Sequence, residues 1–225
     1  MKNKALTTEK LLSDYGNYLL SNGEKPKNIY SFAKENNFEE KDFYQFFSSF
    51  EHLEKEILKH FFQKSLELTT EIEGYDELTT KEKLLNLYFI FFENLTMNRS
   101  LVKMILEKRN LETLKKLHEL KLEHQKFVKT LDFDDLEILE KAKDSIKNFN
   151  EKSREEALWL HFLSIIEFWQ KDESSAFEKT DLFIEKTIDT GFEFINNEPL
   201  KKILDLGKFL WKEKFQKVKK NENAR

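Results

Sequence analysis

The sequence predicts an all-α fold, and three observations carry that reading. Apolar residues recur at i, i+3, i+4 and i+7 almost throughout, the spacing that gathers them on one side of a helix. Interruptions are few, with 5 Gly and 2 Pro in 225 residues. Charged residues make up 36% of the chain and fill the positions that the apolar stripes leave open. A chain of this length buries a core without staples.

The first helix is capped by Thr7 or Thr8 and runs to about Ser21, with Leu11, Leu12, Tyr15, Tyr18 and Leu19 on one face and Asn22-Gly23 as its stop. Pro26 and Asn28 precede a second helix whose inward residues are Ile29, Phe32 and Ala33. Asn36-Asn37 makes a turn, since asparagine tolerates the left-handed conformation. Glu39 to Phe47 is a third helix, and Glu51 to Glu71 a longer fourth. After a loop at Glu73 to Thr80, helical segments are expected at 80–96, 100–107, 110–130, 134–148, 153–171, 175–196 and 199–220. Breaks are expected at Asn98, Asp132, Asn150, 172–174 and Asn196-Asn197. No repeat of fixed period runs through the chain.

Several function classes find no support. With no cysteine there are no disulfides, thiolate metal sites or cysteine nucleophiles. The five histidines, His52, His60, His118, His124 and His161, form no H-E-x-x-H pattern and no i, i+4 pair. Phosphate-cradling glycine loops and a G-x-S-x-G elbow are also missing. The chain is therefore read as a non-enzyme with no cofactor and no metal. No run approaches the roughly 18 to 20 apolar residues of a membrane span, and residues 1–10 are too polar for a secretory signal, so a cytoplasmic protein is expected.

The spacing of the first quarter carries a resemblance. Leu11, Leu12, Gly23, Ile29, Phe32, Ala33, Phe38, Phe43, Tyr44, Phe47, Glu51 and Leu53 fall, without gaps, on the apolar, glycine and tyrosine positions of an N-terminal helix-turn-helix pattern. In this respect the chain resembles the TetR/AcrR transcriptional regulators. The resemblance implies three parts: a helix-turn-helix domain over 1–52, a larger helical ligand-binding and dimerisation domain over 53–198, and a basic amphipathic helix and tail over 199–225. It implies a homodimer that binds duplex DNA and responds to a hydrophobic small molecule. DNA contacts would come from Lys27, Lys34, Lys41, Tyr44 and Gln45.

Local charge opposes that last implication. Residues 1–60 hold 9 Lys and no Arg against 10 Asp plus Glu, a formal charge of −1. Glu39, Glu40, Asp42 and Glu51 lie on or beside the segment that would meet phosphates, and Phe50 stands where the family has a phosphate-contacting lysine. Carboxylates at a helix start also stabilise the helix through its dipole, which is a purely structural reason for their presence.

The 22 Phe, many of them clustered, either replace leucine in packing or line a wide apolar pocket. Residues expected to line such a pocket are Phe89, Phe92, Met104, Trp159, Phe162 and Trp169. The run from Leu158 to Trp169 is apolar almost all round, which calls for burial on more than one side. In the TetR-like fold the helices on either side of the break near Ser174 pair with their twofold mates, so Leu158, Ile165, Ile166, Phe177, Phe183 and Ile184 are expected at a dimer interface.

A second, shorter resemblance lies in Trp169 to Ile184. Asp172, Ser174, Phe177, Glu178, Thr180, Phe183 and Ile184 match the spacing of a coenzyme Q biosynthesis accessory family, TetR-like in fold but lipid-binding. From Pro199 to Arg225 there are 9 basic and 3 acidic residues beside a stripe of Leu200, Ile203, Leu204, Trp211, Phe215 and Val218. Such a helix either lies peripherally on an anionic membrane through 199–220 or docks on the protein's own core. The alternative to a regulator is thus a lipid-binding, membrane-associated accessory protein that no longer reads DNA.

Overall fold

The computed structural model describes residues 6–106, 115–133 and 144–196. Among them are nine α-helices, two 3₁₀ turns and no strand. Three helices form the N-terminal unit: α1 (Thr8–Asn22), α2 (Ile29–Glu35) and α3 (Glu40–Phe43). The remainder follow as α4 (Phe50–Thr70), α5 (Thr80–Met97), α6 (Arg99–Ile105), α7 (His118–Thr130), α8 (Asp144–Lys171) and α9 (Glu178–Asn196).

Local chemistry sets the ends. Thr7 caps α1 by accepting from Lys10 N, and Gly23, at φ 72°, closes it by donating its N–H to Leu19 O at 2.8 Å. Asn28 caps α2, Ser49 caps α4, and Thr79 with Glu82 forms a reciprocal capping box on α5. Asn37 takes φ 59° in the turn before α3.

Three expectations are corrected. The third helix is α-helical only over Glu40–Phe43, because Gln45 N and Phe46 N bond three residues back in tighter turns that carry Phe46 and Phe47 towards the core. Asn150 does not break α8, whose backbone runs unbroken from Asp144 to Lys171. Ser175–Phe177 is a separate 3₁₀ turn instead of the first turn of α9, with Ala176 at φ 50° and Phe177 at φ 60°. Within the single chain Leu160 of α8 is 63% exposed. The expected segment 134–148 in its greater part, the start of 110–130, and the whole of 199–220 lie outside the described residues.

Two aromatic cores organise the packing. In the N-terminal unit Phe32 is ringed by Tyr15, Phe38, Phe43 and Phe50, at 5.6 to 6.4 Å between ring centroids. In the larger body Phe162 of α8 touches Phe62 of α4, Tyr88, Phe91 and Phe92 of α5, His124 of α7 and Trp159. Helix α4 is the shared beam, since it carries both Phe50 and Phe62 and packs on α1, α5 and α7. Phenylalanine thus does the work of interlayer packing, with edge-to-face geometry adding to the area it buries. Gly16 lets α1 close on α6: a Cβ there would stand 3.1 Å from Leu101 Cδ2.

Candidate functional site

The surface nominated for DNA contains exposed Lys27, Lys34, Lys41, Tyr44 and Gln45. Three of the five are already engaged by carboxylates of their own segment. Lys41 Nζ lies 2.7 Å from Glu39 Oε2, Tyr44 Oη donates to Glu40 Oε1 at 3.3 Å, and Gln45 Nε2 donates to Asp42 Oδ1 at 3.4 Å. The Glu39 side chain holds the Lys41 ammonium above its ordinary range. The backbone N–H of Glu39 donates to Asp42 Oδ2 at 3.2 Å, so the acidic residues also build the helix start. Tyr44 is 53% exposed and meets Phe43 edge-on at 5.9 Å, which props its ring away from the core. Phe50, by contrast, stacks on Tyr15 at 5.1 Å and faces inward.

Behind this surface sits a polar junction that the sequence reading did not single out. Glu54 of α4 has no exposure, yet three groups converge on it. Tyr15 Oη of α1 donates to Oε1 at 2.8 Å, Lys25 Nζ lies 2.7 Å from Oε1, and Lys116 Nζ lies 2.8 Å from Oε2. Lys116 also donates to Ile105 O at 2.7 Å, at the end of α6. A buried carboxylate of this kind requires paired charge. It joins the N-terminal unit to α6 and to the segment leading into α7. The clue in the sequence is a carboxylate inside the apolar stripe of Leu53, Ile57 and Leu58.

A cleft of about 480 Å³ opens between α5, the end of α8 and the start of α9, lined by Phe89, Phe92, Glu93, Thr96, Trp169, Ala176, Phe177, Thr180 and Asp181. Of the pocket residues expected from sequence, Phe89, Phe92 and Trp169 are thus brought together. Trp159 and Phe162 lie in the aromatic core beside His124, at 5.6 and 4.8 Å. Met104 is half-buried on α6 against the buried apolar residues of the chain. Glu93 and Asp181 were not anticipated.

The wall of the cleft is firmly built. Asp172 caps the start of α9: Oδ1 accepts from Ser174 N and Oγ at 2.8 and 2.6 Å, and Oδ2 accepts from Thr180 N and Oγ1 at 2.9 and 2.7 Å. Burial pushes the Asp172 carboxyl up, but the Ser174 and Thr180 donors outweigh it and bring it down to about 2. The Arg99 guanidinium stacks over Trp169 at 4.6 Å and Phe177 at 4.3 Å while donating to the carbonyls of Trp169, Gln170 and Asp172.

The residues expected at a dimer interface fall into two groups. Ile165, Ile166 and Ile184 are buried within the single chain, at 0 to 3% exposure, because α8 and α9 turn these side chains towards their own bundle. Leu158, Phe177 and Phe183 are half-buried. Among the described side chains, the large apolar residues that α8 and α9 leave open are Leu160 and Leu182, the latter 48% exposed.

His124 is enclosed, bonded through Nε2 to Tyr88 Oη at 2.8 Å. Burial, with a smaller effect of His161, lowers its pKa to about 3, so it is held neutral. Among the described residues no cluster of three metal-ligating side chains occurs, and no helix is long and apolar enough to cross a membrane.

No curated protein matches the chain. The sequence family described as "Tetracyclin repressor-like, C-terminal domain" matches residues 83–210, from the first turn of α5 through α9 and beyond. This match covers more than half of the chain and coincides with the body that encloses the cleft, while the N-terminal unit adds three short helices on α4. The chain therefore belongs to the TetR family of transcriptional regulators.

Proposed function

We propose that the protein acts as a homodimeric, one-component regulator in which the N-terminal unit binds duplex DNA and the larger body responds to a small molecule. The observation that carries this reading is the position of Tyr44. It is an exposed aromatic hydroxyl at the end of the third helix, beside Lys41 and Gln45, on a unit whose other large aromatic side chains mostly turn inward. Lys27 and Lys34 supply further positive charge on the same unit. A ligand that changes the packing of α6 and α7 would reach this surface through Lys116, Glu54 and Tyr15. The response would then be a shift between two arrangements of the recognition units in the dimer.

The test is selection of bound genomic fragments, followed by titration of the selected duplex at several salt concentrations. A specific duplex, a steep loss of affinity with salt, and loss of binding in Lys41→Ala/Tyr44→Ala with the dimer still folded are the expected results.

The pairing of Lys41, Tyr44 and Gln45 with Glu39, Glu40 and Asp42 favours a second reading, in which the fold is kept but DNA is no longer bound. The protein would then carry a lipid and approach anionic membranes through 199–220. Co-flotation with anionic vesicles, lost on removal of 199–225, together with no selected duplex, would decide for it.

A further inference from the structure

The cleft beside Trp169 has a chemical character of its own. Its apolar lining comes from Phe89, Phe92, Trp169 and Phe177, of which Phe89 and Phe177 keep partial exposure while Phe92 and Trp169 are buried behind them. Its volume, about 480 Å³, falls within the range of roughly 300 to 1,000 Å³ typical of small-molecule sites. Of its polar side chains, Thr96 accepts from Trp169 Nε1 at 2.9 Å and Thr180 donates to Asp172, so both hydroxyls are engaged. Glu93 and Asp181 remain, and neither forms an ion pair among the described residues. Among the described residues no lysine or arginine lines the cleft. Asp181 feels desolvation and the like charges of Glu93 and Asp172, which hold its carboxyl above its ordinary range.

Aromatic faces and the exposed carboxylates of Glu93 and Asp181 attract the same kind of partner, a cation with apolar substituents. The rings of Trp169 and Phe177 already demonstrate this preference inside the chain, since both hold the Arg99 guanidinium. Ala176 and Phe177 both have positive φ, 50° and 60°, which is costly for residues with a Cβ and is sustained here by the Asp172 cap and the Arg99 stack.

We propose that this cleft binds a lipophilic organic cation, with Glu93 and Asp181 neutralising its charge and Phe89 and Phe177 packing on its apolar part. The site rests on the reading of the larger body as ligand-responsive and assigns that ligand's chemical class. A neutral hydrophobic molecule of equal shape is the discriminating competitor.

The experiment compares two isosteric probes by calorimetry on the full chain: (2-naphthylmethyl)trimethylammonium and its carbon analogue 2-neopentylnaphthalene. The cation is expected to bind about tenfold or more tightly than the analogue, and Glu93→Gln/Asp181→Asn to remove that difference. Phe89→Ala should weaken both probes, and thermal melting of each variant checks that the fold is kept. Equal binding of the two probes, or cation binding indifferent to the double variant, overturns the assignment but leaves an apolar effector site standing. Binding of neither probe overturns the site itself, and the duplex titration described above judges the regulator reading separately.

Discussion

Tyr15 Oη donates a 2.8 Å hydrogen bond to Glu54 Oε1, and this contact links the first helix to a carboxylate without solvent exposure. Burial, followed by the charge and hydrogen bond of Glu54, raises the tyrosine pKa far above its ordinary value, so the phenol stays a donor at any physiological pH. The same carboxylate takes Lys25 and Lys116 from two other parts of the chain.

Removing one partner of this junction should cost more than removing a surface pair. Lys116→Met leaves Glu54 with a single cation and frees Ile105 O, and is expected to lower unfolding stability by about 3 kcal/mol. Tyr15→Phe should cost about 2 kcal/mol, the scale of a hydrogen bond to a charged acceptor. Urea unfolding monitored by circular dichroism measures both. Losses no greater than for Lys64→Met, an exposed i, i+3 pair, would contradict the hub role of Glu54.

The carboxylates of the third helix should hold DNA affinity down. Glu39→Gln/Glu40→Gln/Asp42→Asn releases Lys41, Tyr44 and Gln45 and removes negative charge from the face proposed to meet phosphates. Duplex affinity is expected to rise about tenfold or more at 0.1 M salt, with a steeper salt dependence, as read by fluorescence anisotropy. An unchanged affinity would mean that this surface does not meet the duplex.

His124 should make the protein acid-sensitive. Its folded pKa, lowered to about 3 by burial and by His161, lies below the unfolded value, so the unfolded chain binds more protons between about pH 6.5 and 3. Stability therefore falls as pH drops through that window, at up to about 1.4 kcal/mol per pH unit from this group. His161, lowered by burial as well, acts in the same direction. Denaturant midpoints recorded from pH 7 to pH 4 should fall less steeply in His124→Gln than in the parent.

Asp172 should behave in the opposite chemical sense with the same outward trend. Its lowered pKa, about 2, means that its contribution is complete above its unfolded value near 4 and is lost as pH falls through 2. Asp172→Asn turns one amide donor towards the Ser174 or Thr180 donors. It is expected to cost about 2 to 4 kcal/mol at pH 7 and to weaken probe binding in the adjoining cleft. Thermal melts and calorimetry test the two effects.

Periodicity and caps were local properties, and they were legible in the chain. The helical class, the stop at Gly23, the turn at Asn37, the caps of Thr7 and Asn28, and the break at Asn98 all follow from residue types within a few positions. The apolar and tyrosine spacing of residues 11–53 pointed to the family that the match over 83–210 then established.

Only the tertiary structure decided which side chains meet across helices. Nothing in the linear order brings Lys25 and Lys116 to Glu54, or Glu93 to Asp181, because those pairings depend on helix rotation and on which loop closes over which stripe. Helix rotation likewise turned Ile165 and Ile166 inward and left Leu160 outside, though all three sit in one apolar run. Amphipathic spacing fixes that a face is buried, whereas the packing partner fixes which residues of a broad apolar face are covered.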